Sequence, residues 1–368
     1  MLIKHIHGGD VKKTLSCTSK RWVCDFSANI NPLGMPKSVE LALKKHISSL
    51  VNYPEIGSKE LCREIAKYHN IKPKNIIVGN GSGELIYLFA RAFKPKSAII
   101  PVPTFSEYEM ALKTQNTKMF FLKLSQKDEF KLSIDKISPS PSFTKRGNPL
   151  KFQNTKKTDV FFICNPNNPT GVLTEKEVLL KLVSMNKFLF IDEVFMDFVD
   201  KQEKFTMLDV AIRQKNIFIL KSLTKLFALP GLRIGYGVAH PEIIERLKCM
   251  QEPWNVNTLA QISGIYALKD KTYIKNSILQ NKVAREHLYN ELTKINGLTP
   301  YYPYANFIFI ELISKNANSK DIALKMLRLG LPIRDCSSFR SLGSKFIRIA
   351  VKSRQENNRL VKTLKNVV

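Results

Sequence analysis

The residues best equipped for chemistry lie in four short stretches, each directly after an apolar run. Lys221-Ser222-Leu223-Thr224-Lys225 follows Ile217–Leu220 and leads through Leu226–Pro230 into Gly231-Leu232-Arg233-Ile234-Gly235-Tyr236. A lysine in apolar surroundings has a depressed pKa and acts as a nucleophile toward a carbonyl, while Ser222, Thr224 and Arg233 are donors suited to phosphate. Lys225 has that apolar setting; Lys221 reads as a surface lysine. Asp192-Glu193 closes the run Phe188–Ile191. Its carboxylates therefore stand at the mouth of a buried strand, where an anion needs a cationic partner. Asn165-Pro166-Asn167-Asn168-Pro169-Thr170-Gly171 follows Val160–Cys164, and its amides can point over a sheet edge, although an ordinary Asn/Pro turn uses the same residues. Gly79-Asn80-Gly81-Ser82-Gly83-Glu84 lies between Ile76–Val78 and the helix-like Leu85–Phe93. Glycines let the backbone approach an anion, and the unpaired N–H groups of a first helical turn are free to bind it. A tight turn without a ligand needs similar residues.

Together these stretches supply a phosphate cradle, a carboxylate, an amide and an activated amine. Pyridoxal 5′-phosphate needs a lysine for its aldehyde, an acid facing its ring nitrogen and donors for its phosphate.

The elements that must position these groups follow from hydrophobic patterning. From Lys37 to about Leu268, amphipathic helix-length stretches alternate with the candidate strands Ile76–Val78, Ala98–Pro101, Val160–Cys164, Phe188–Asp192, Ile217–Leu220 and Ile234–Val238. That alternation predicts an α/β fold, a mostly parallel sheet flanked by helices, with ligands gathered at the carboxyl ends of its strands. Asp270–Asn296 is helix-compatible, and Asn306–Leu312, Leu331–Arg334 and Phe346–Val351 follow as short strands of a smaller α+β unit. The expected division is an N-terminal segment 1–40 that contributes to the site and to the smaller unit, a large cofactor-binding domain 41–269, and a small domain 270–368. Pro139–Thr158, rich in Pro, Ser and Lys without apolar periodicity, reads as an exposed loop.

Composition narrows the function classes. The 368 residues are 44% hydrophobic and 24% charged, which excludes wholesale disorder. No apolar run approaches the ~20 residues that cross a bilayer, and the start lacks the pattern of a secretory signal; the cytoplasm is the expected compartment. A formal charge of +27 invites a nucleic-acid reading. The basic residues are spread along the chain, however, which favours a Lys-rich solvated surface able to attract phosphorylated anions. Six cysteines without a CxxC pair read as reduced thiols, and His5, His7 and Cys17 lack ligand spacing, so no metal is expected.

Over essentially its full length the chain resembles the fold-type-I pyridoxal-phosphate enzymes, the aspartate aminotransferase superfamily, through NPNNPTG and SLTKLFALPGLRIGY. His7–Gly9, Asp25–Pro36 (DFSANINPLGMP) and Asn52–Pro54 look like the threonine-phosphate decarboxylases of cobalamin biosynthesis, with histidinol-phosphate aminotransferases nearby. The resemblance implies that Lys225 carries the cofactor as a Schiff base, that Asp192 faces its ring nitrogen and that Asn168 bonds its ring oxygen. It further implies that Phe105, in PTFSEY, stacks on the ring. The cofactor phosphate would lie among Ser82, Gly83, Ser222, Thr224, Arg233 and Tyr53 of a partner subunit, hence a homodimer. Arg334 and Arg348 would hold the two anions of a phospho-amino acid, for which planar guanidinium forks suit better than lysines; His7 and Asn31 are weaker candidates for substrate contact. Aminotransferases of the histidinol-phosphate type usually carry tyrosine where this chain has Phe195, which favours the decarboxylases. The expected reaction is decarboxylation of O-phospho-L-threonine or O-phospho-L-serine. The alternatives are a histidinol-phosphate aminotransferase and, remotely, a basic nucleic-acid-binding protein without chemistry.

Overall fold

Apolar runs too short for helices form strands covered on both faces, and these assemble into one sheet. A computed structural model describes residues 8–9, 23–133 and 159–368. Strands β1 (Ile76–Gly79), β2 (Ser97–Val102), β3 (Lys118–Lys123), β4 (Val160–Cys164), β5 (Phe188–Asp192), β6 (Ile217–Ser222) and β7 (Gly235–Ala239) lie in the order β1-β7-β6-β5-β4-β2-β3. Neighbours from β3 across to β6 run parallel, whereas β7 is antiparallel to both β6 and β1. The helix Gly81–Phe93 covers the centre of the sheet, its Phe89 ring packing against Phe162, Phe190 and Phe218 of three adjacent strands. Register then fixes the site: Asp192 is the pairing partner of Cys164 on one side and Leu220 on the other, and Ser222 faces Gly235.

The smaller unit is an antiparallel sheet in the order β10-β11-β9-β8, formed by β8 (Leu298–Pro300), β9 (Phe307–Leu312), β10 (Arg334–Asp335) and β11 (Phe346–Ala350). Helices Lys271–Leu292, Ser319–Arg328 and Arg354–Lys365 bury Leu288, Met326 and Leu360 against it. The N-terminal segment joins this unit. Phe26 lies in its core, donates from its N–H to the Pro332 carbonyl and accepts from the Ala350 N–H.

Two strands fall outside the sequence expectation. β3 is an edge strand with an exposed lysine at each end, a pattern that reads as polar surface; β8 spans three residues only. Leu331–Arg334 forms a ladder only from Arg334, since Pro332 has no N–H to give. Among the described residues no helix is long and apolar enough to cross a membrane. His7 and the basic stretch 139–158 lie outside the described residues.

Candidate functional site

At the carboxyl ends of β4, β5 and β6, where the smaller unit meets the sheet, lies a cavity of about 440 Å³. Ser82, Gly83, Phe105, Asn168 and Asp192 line it, as do Thr224, Lys225, Arg233, Arg334 and Arg348.

The anion corner depends on two glycines. Gly81 opens the helix Gly81–Phe93 with φ +79°, and a Cβ there would lie 2.7 Å from Arg233 Nη2. A Cβ on Gly235 would lie 2.6 Å from the Ser82 nitrogen. Only without side chains at both positions can the helix N-terminus, β7 and the Arg233 guanidinium converge. Thr224 faces the cavity from the turn after β6. Ser222 does not line it; its hydroxyl is buried 2.8 Å from Thr224 Oγ1 and holds that hydroxyl from behind.

Asp192 projects from the end of β5. Its Oδ1 accepts the Val194 N–H at 2.9 Å and its Oδ2 accepts the Tyr108 hydroxyl at 2.6 Å. Burial raises its pKa to about 6, a rise opposed by Tyr108, Val194 and Lys225. Lys225 is lowered to about 8, by burial first and then by Arg348 and Arg233, with Asp192 pulling the other way. Such an amine keeps a larger free-base fraction near neutrality than an ordinary lysine, and that form is able to attack a carbonyl.

Of the three asparagines in the turn after β4, two are structural. Asn165 holds Thr174 through N–H and carbonyl, and Asn167 bonds Pro103, Thr104 and Thr170. Asn168 reaches the cavity, where its Oδ1 accepts from Arg348. That leaves the Nδ2 donor for a ligand.

The antiparallel register of β10 and β11 sets Arg334 directly opposite Arg348. Arg348 donates from Nη2 to the Ser27 carbonyl at 3.0 Å, while its Nε is buried without a partner and burial lowers its pKa to about 10. A guanidinium kept charged there calls for an anion. Arg334 lies over the Phe339 ring and donates to Ser338.

Three sequence expectations need correction or comment. Asn31 is no substrate contact: its amide nitrogen is committed to the Leu226 carbonyl, Tyr273 and Ser277, and its oxygen to the Leu33 N–H. It clips the N-terminal segment behind the Lys225 loop. Lys221 is no surface lysine; it is 1% exposed and paired with Asp197 at 2.9 Å. Tyr53 is 80% exposed, its ring tilted against Trp254 at 4.8 Å, and outside this cavity. Sequence reasoning passed over Tyr108, whose only signal is its place three residues after Phe105, and over Ser27, Ala28 and Asn29, which line the cavity from within DFSANINP.

These residues fit pyridoxal 5′-phosphate. The glycine-dependent cradle suits its phosphate, buried Asp192 its ring nitrogen, the Asn168 Nδ2 its ring oxygen and the deprotonatable Lys225 its aldehyde.

The family model described as aminotransferase class I and II matches residues 22–364. A protein of provisional name threonine-phosphate decarboxylase from Caldanaerobacter subterraneus is 36% identical, over 92% of this chain and 89% of its own. The threonine-phosphate decarboxylase of Salmonella typhimurium is 31% identical over 100% and 98%. Among solved structures, the histidinol-phosphate aminotransferase of Clostridium acetobutylicum superposes with a TM-score of 0.83 at 31% identity, covering 94% of this chain and 100% of that one.

Proposed function

The chain belongs to the aminotransferase class I and II family, and on that premise we propose that it decarboxylates O-phospho-L-threonine, O-phospho-L-serine or both. The carrying observation is the pair Arg334 and Arg348, set opposite each other in the ladder and lining the same cavity. Beside Lys225 they suit a small substrate with two anionic groups, and the names of the relatives favour a phospho-amino acid. Phe195, which lines the cavity beside Asp192, brings no hydroxyl to the ring oxygen.

When bound, pyridoxal phosphate supplies an electron sink for the bond broken at the substrate Cα. The chain's own residues do the rest. Asp192, as an anion, would hold a proton at the ring nitrogen; Asn168 Nδ2 would bond the ring oxygen, and Phe105 would cover the ring face. Arg334 and Arg348 would fix the two substrate anions and so set how the bonds at Cα are presented to the cofactor. A hold on the substrate that aligned the carboxylate bond would favour loss of CO2, and one that aligned the Cα–H bond would favour amino transfer. Lys225 Nζ, its pKa lowered to about 8 so that both forms are populated near neutrality, would return a proton to Cα from its ammonium form and be left as the free amine. The product is an aminopropanol or ethanolamine phosphate, suited to the nucleotide loop of a cobamide. A second copy of the chain covers the exposed Val51, Tyr53 and Ile56, bringing Tyr53 to the partner's phosphate corner.

The test is incubation of the holoenzyme with each phospho-amino acid. CO2 and an amino-alcohol phosphate should appear without any keto acid. Glutamate-dependent turnover of imidazole-acetol phosphate, with no CO2 from either substrate, would reverse the choice in favour of the aminotransferase. A pocket separates substrates differing by one methyl by only about 1–3 kcal/mol, so both phospho-amino acids are expected to react.

A further inference from the structure

Asp192 is held by a residue to which the reaction above gives no part. Tyr108, on the helix Glu107–Lys113, is fully buried. Its ring meets Phe105 edge-on at 5.7 Å and packs against Phe162 and Phe190 of the sheet. That packing brings the hydroxyl, which also neighbours the Cys164 thiol, to Asp192 Oδ2 at 2.6 Å, while the Val194 N–H occupies Oδ1 at 2.9 Å. With a donor on each oxygen the carboxylate plane is set, and its remaining lone pairs are available on the side that lines the cavity.

We propose that Tyr108 is the positioning residue that keeps Asp192 ionised and aimed into the cavity. The inference rests on the reading of Asp192 as partner of a ring nitrogen, a role that only the anion can fill. A carboxylate buried this deeply tends to take up a proton, and burial is the largest influence on Asp192. Among the described residues, the titratable groups facing it are Tyr108 from its helix, Cys164 from β4 and Lys225 from the turn after β6. Cys164 is pushed above the ordinary thiol range by burial and stays neutral. Lys225 is the group that reacts, so its charge is no constant support. Tyr108 is pushed well above the ordinary phenol value by burial and by Asp192. Its hydroxyl therefore remains a donor across the working pH range, and among the described residues it is the one side chain that opposes burial at every stage.

Tyr108→Phe removes a single oxygen. In the cofactor-free protein the Asp192 carboxyl, followed by infrared or carbon NMR titration and assigned by its absence in Asp192→Asn, should titrate about one to two pH units higher in Tyr108→Phe. At pH 7 the wild type should bind pyridoxal phosphate more tightly than an analogue with carbon in place of the ring nitrogen, and Tyr108→Phe should lose about tenfold of that preference. A folded Tyr108→Phe with both readouts unchanged overturns the proposal. If that variant does not fold, site-specific 3-fluorotyrosine at 108 keeps the shape and strengthens the donor; a lowered Asp192 midpoint then supports the proposal, and an unchanged one overturns it. The cofactor-free titration does not involve phospho-amino acids. A shifted midpoint in a protein that releases no CO2 would retain Tyr108's role and sink the decarboxylase reading alone.

Discussion

Lys221 and Lys225 stand four residues apart at the end of one strand, and the fold treats their amines in opposite ways. Lys221 is enclosed behind the site, 2.9 Å from Asp197 and 3.9 Å from Glu193. Burial pushes its pKa down, but the two carboxylates outweigh burial and the net shift is upward. Nearby His69 is driven the other way, well below its ordinary value, by burial and then by Lys221 itself. Lys225 meets Arg348 and Arg233, which add to burial, and only Asp192 opposes them. Burial acts on both amines, so it cannot be what makes one reactive. The sign of the neighbouring charges decides, and strand alternation sorts those neighbours by turning Lys221 away from the face used by Ser222.

The largest effect expected from this contrast is on catalysis. Lys225→Ala should abolish the visible band of the bound cofactor and lower kcat by about 10⁴-fold or more, with the fold intact by circular dichroism. A visible band that survives Lys225→Ala and vanishes in Lys221→Ala would invert the assignment.

Lys221→Met should act next most strongly, and on stability. It leaves Asp197 and Glu193 buried without their cation, a change that costs about 3–5 kcal/mol, read as a lower denaturant midpoint. Lys221→Arg should restore most of the loss. If Lys221→Met leaves the midpoint unchanged, the ion pair does not hold the turn after β5 to the end of β6.

How much of this was legible beforehand depends on what each residue's neighbours are. β4, β5 and β6 read directly as strands because a strand covered on both faces is a continuous apolar run, and Asp192 and Lys225 could be placed at their ends for the same reason. β3 did not, because an edge strand flanked by lysines resembles any polar surface segment. Lys221 was misread because its partners Glu193 and Asp197 come from the turn that follows a different strand, and nothing local announces them. Among three adjacent asparagines only Asn168 faces the cavity, since Asn165 and Asn167 are consumed by the turn that presents it. The motif marked the turn, not the division of labour within it. Asn31 shows the converse: a residue in a telling motif whose side chain is spent on the protein's own backbone and hydroxyls.

The smallest effect separates the two lysines by pH. The ordinary lysine value is 10.5, and in the folded protein Lys225 titrates near 8. Between those values the unfolded chain binds more protons than the folded one, so the stability of the cofactor-free protein rises with pH through that interval. Below about 8 the penalty of burying this charge is present in full. Lys221 is shifted upward; its contribution is complete below 10.5 and is lost only as pH passes its still higher folded value. Asp192, raised to about 6, completes its own titration below the Lys225 window and does not blur it. Lys225→Met should therefore stabilise the cofactor-free protein at pH 7 by about 1–3 kcal/mol, with the gain shrinking as pH rises from about 8 and reaching zero only above 10.5, where the wild-type amine has lost its proton in both states. Urea unfolding of both proteins at pH 7 and pH 9.5 reads this directly. If Lys225→Met instead loses stability at pH 7, as Lys221→Met is expected to, the two amines share one environment and the contrast between them fails.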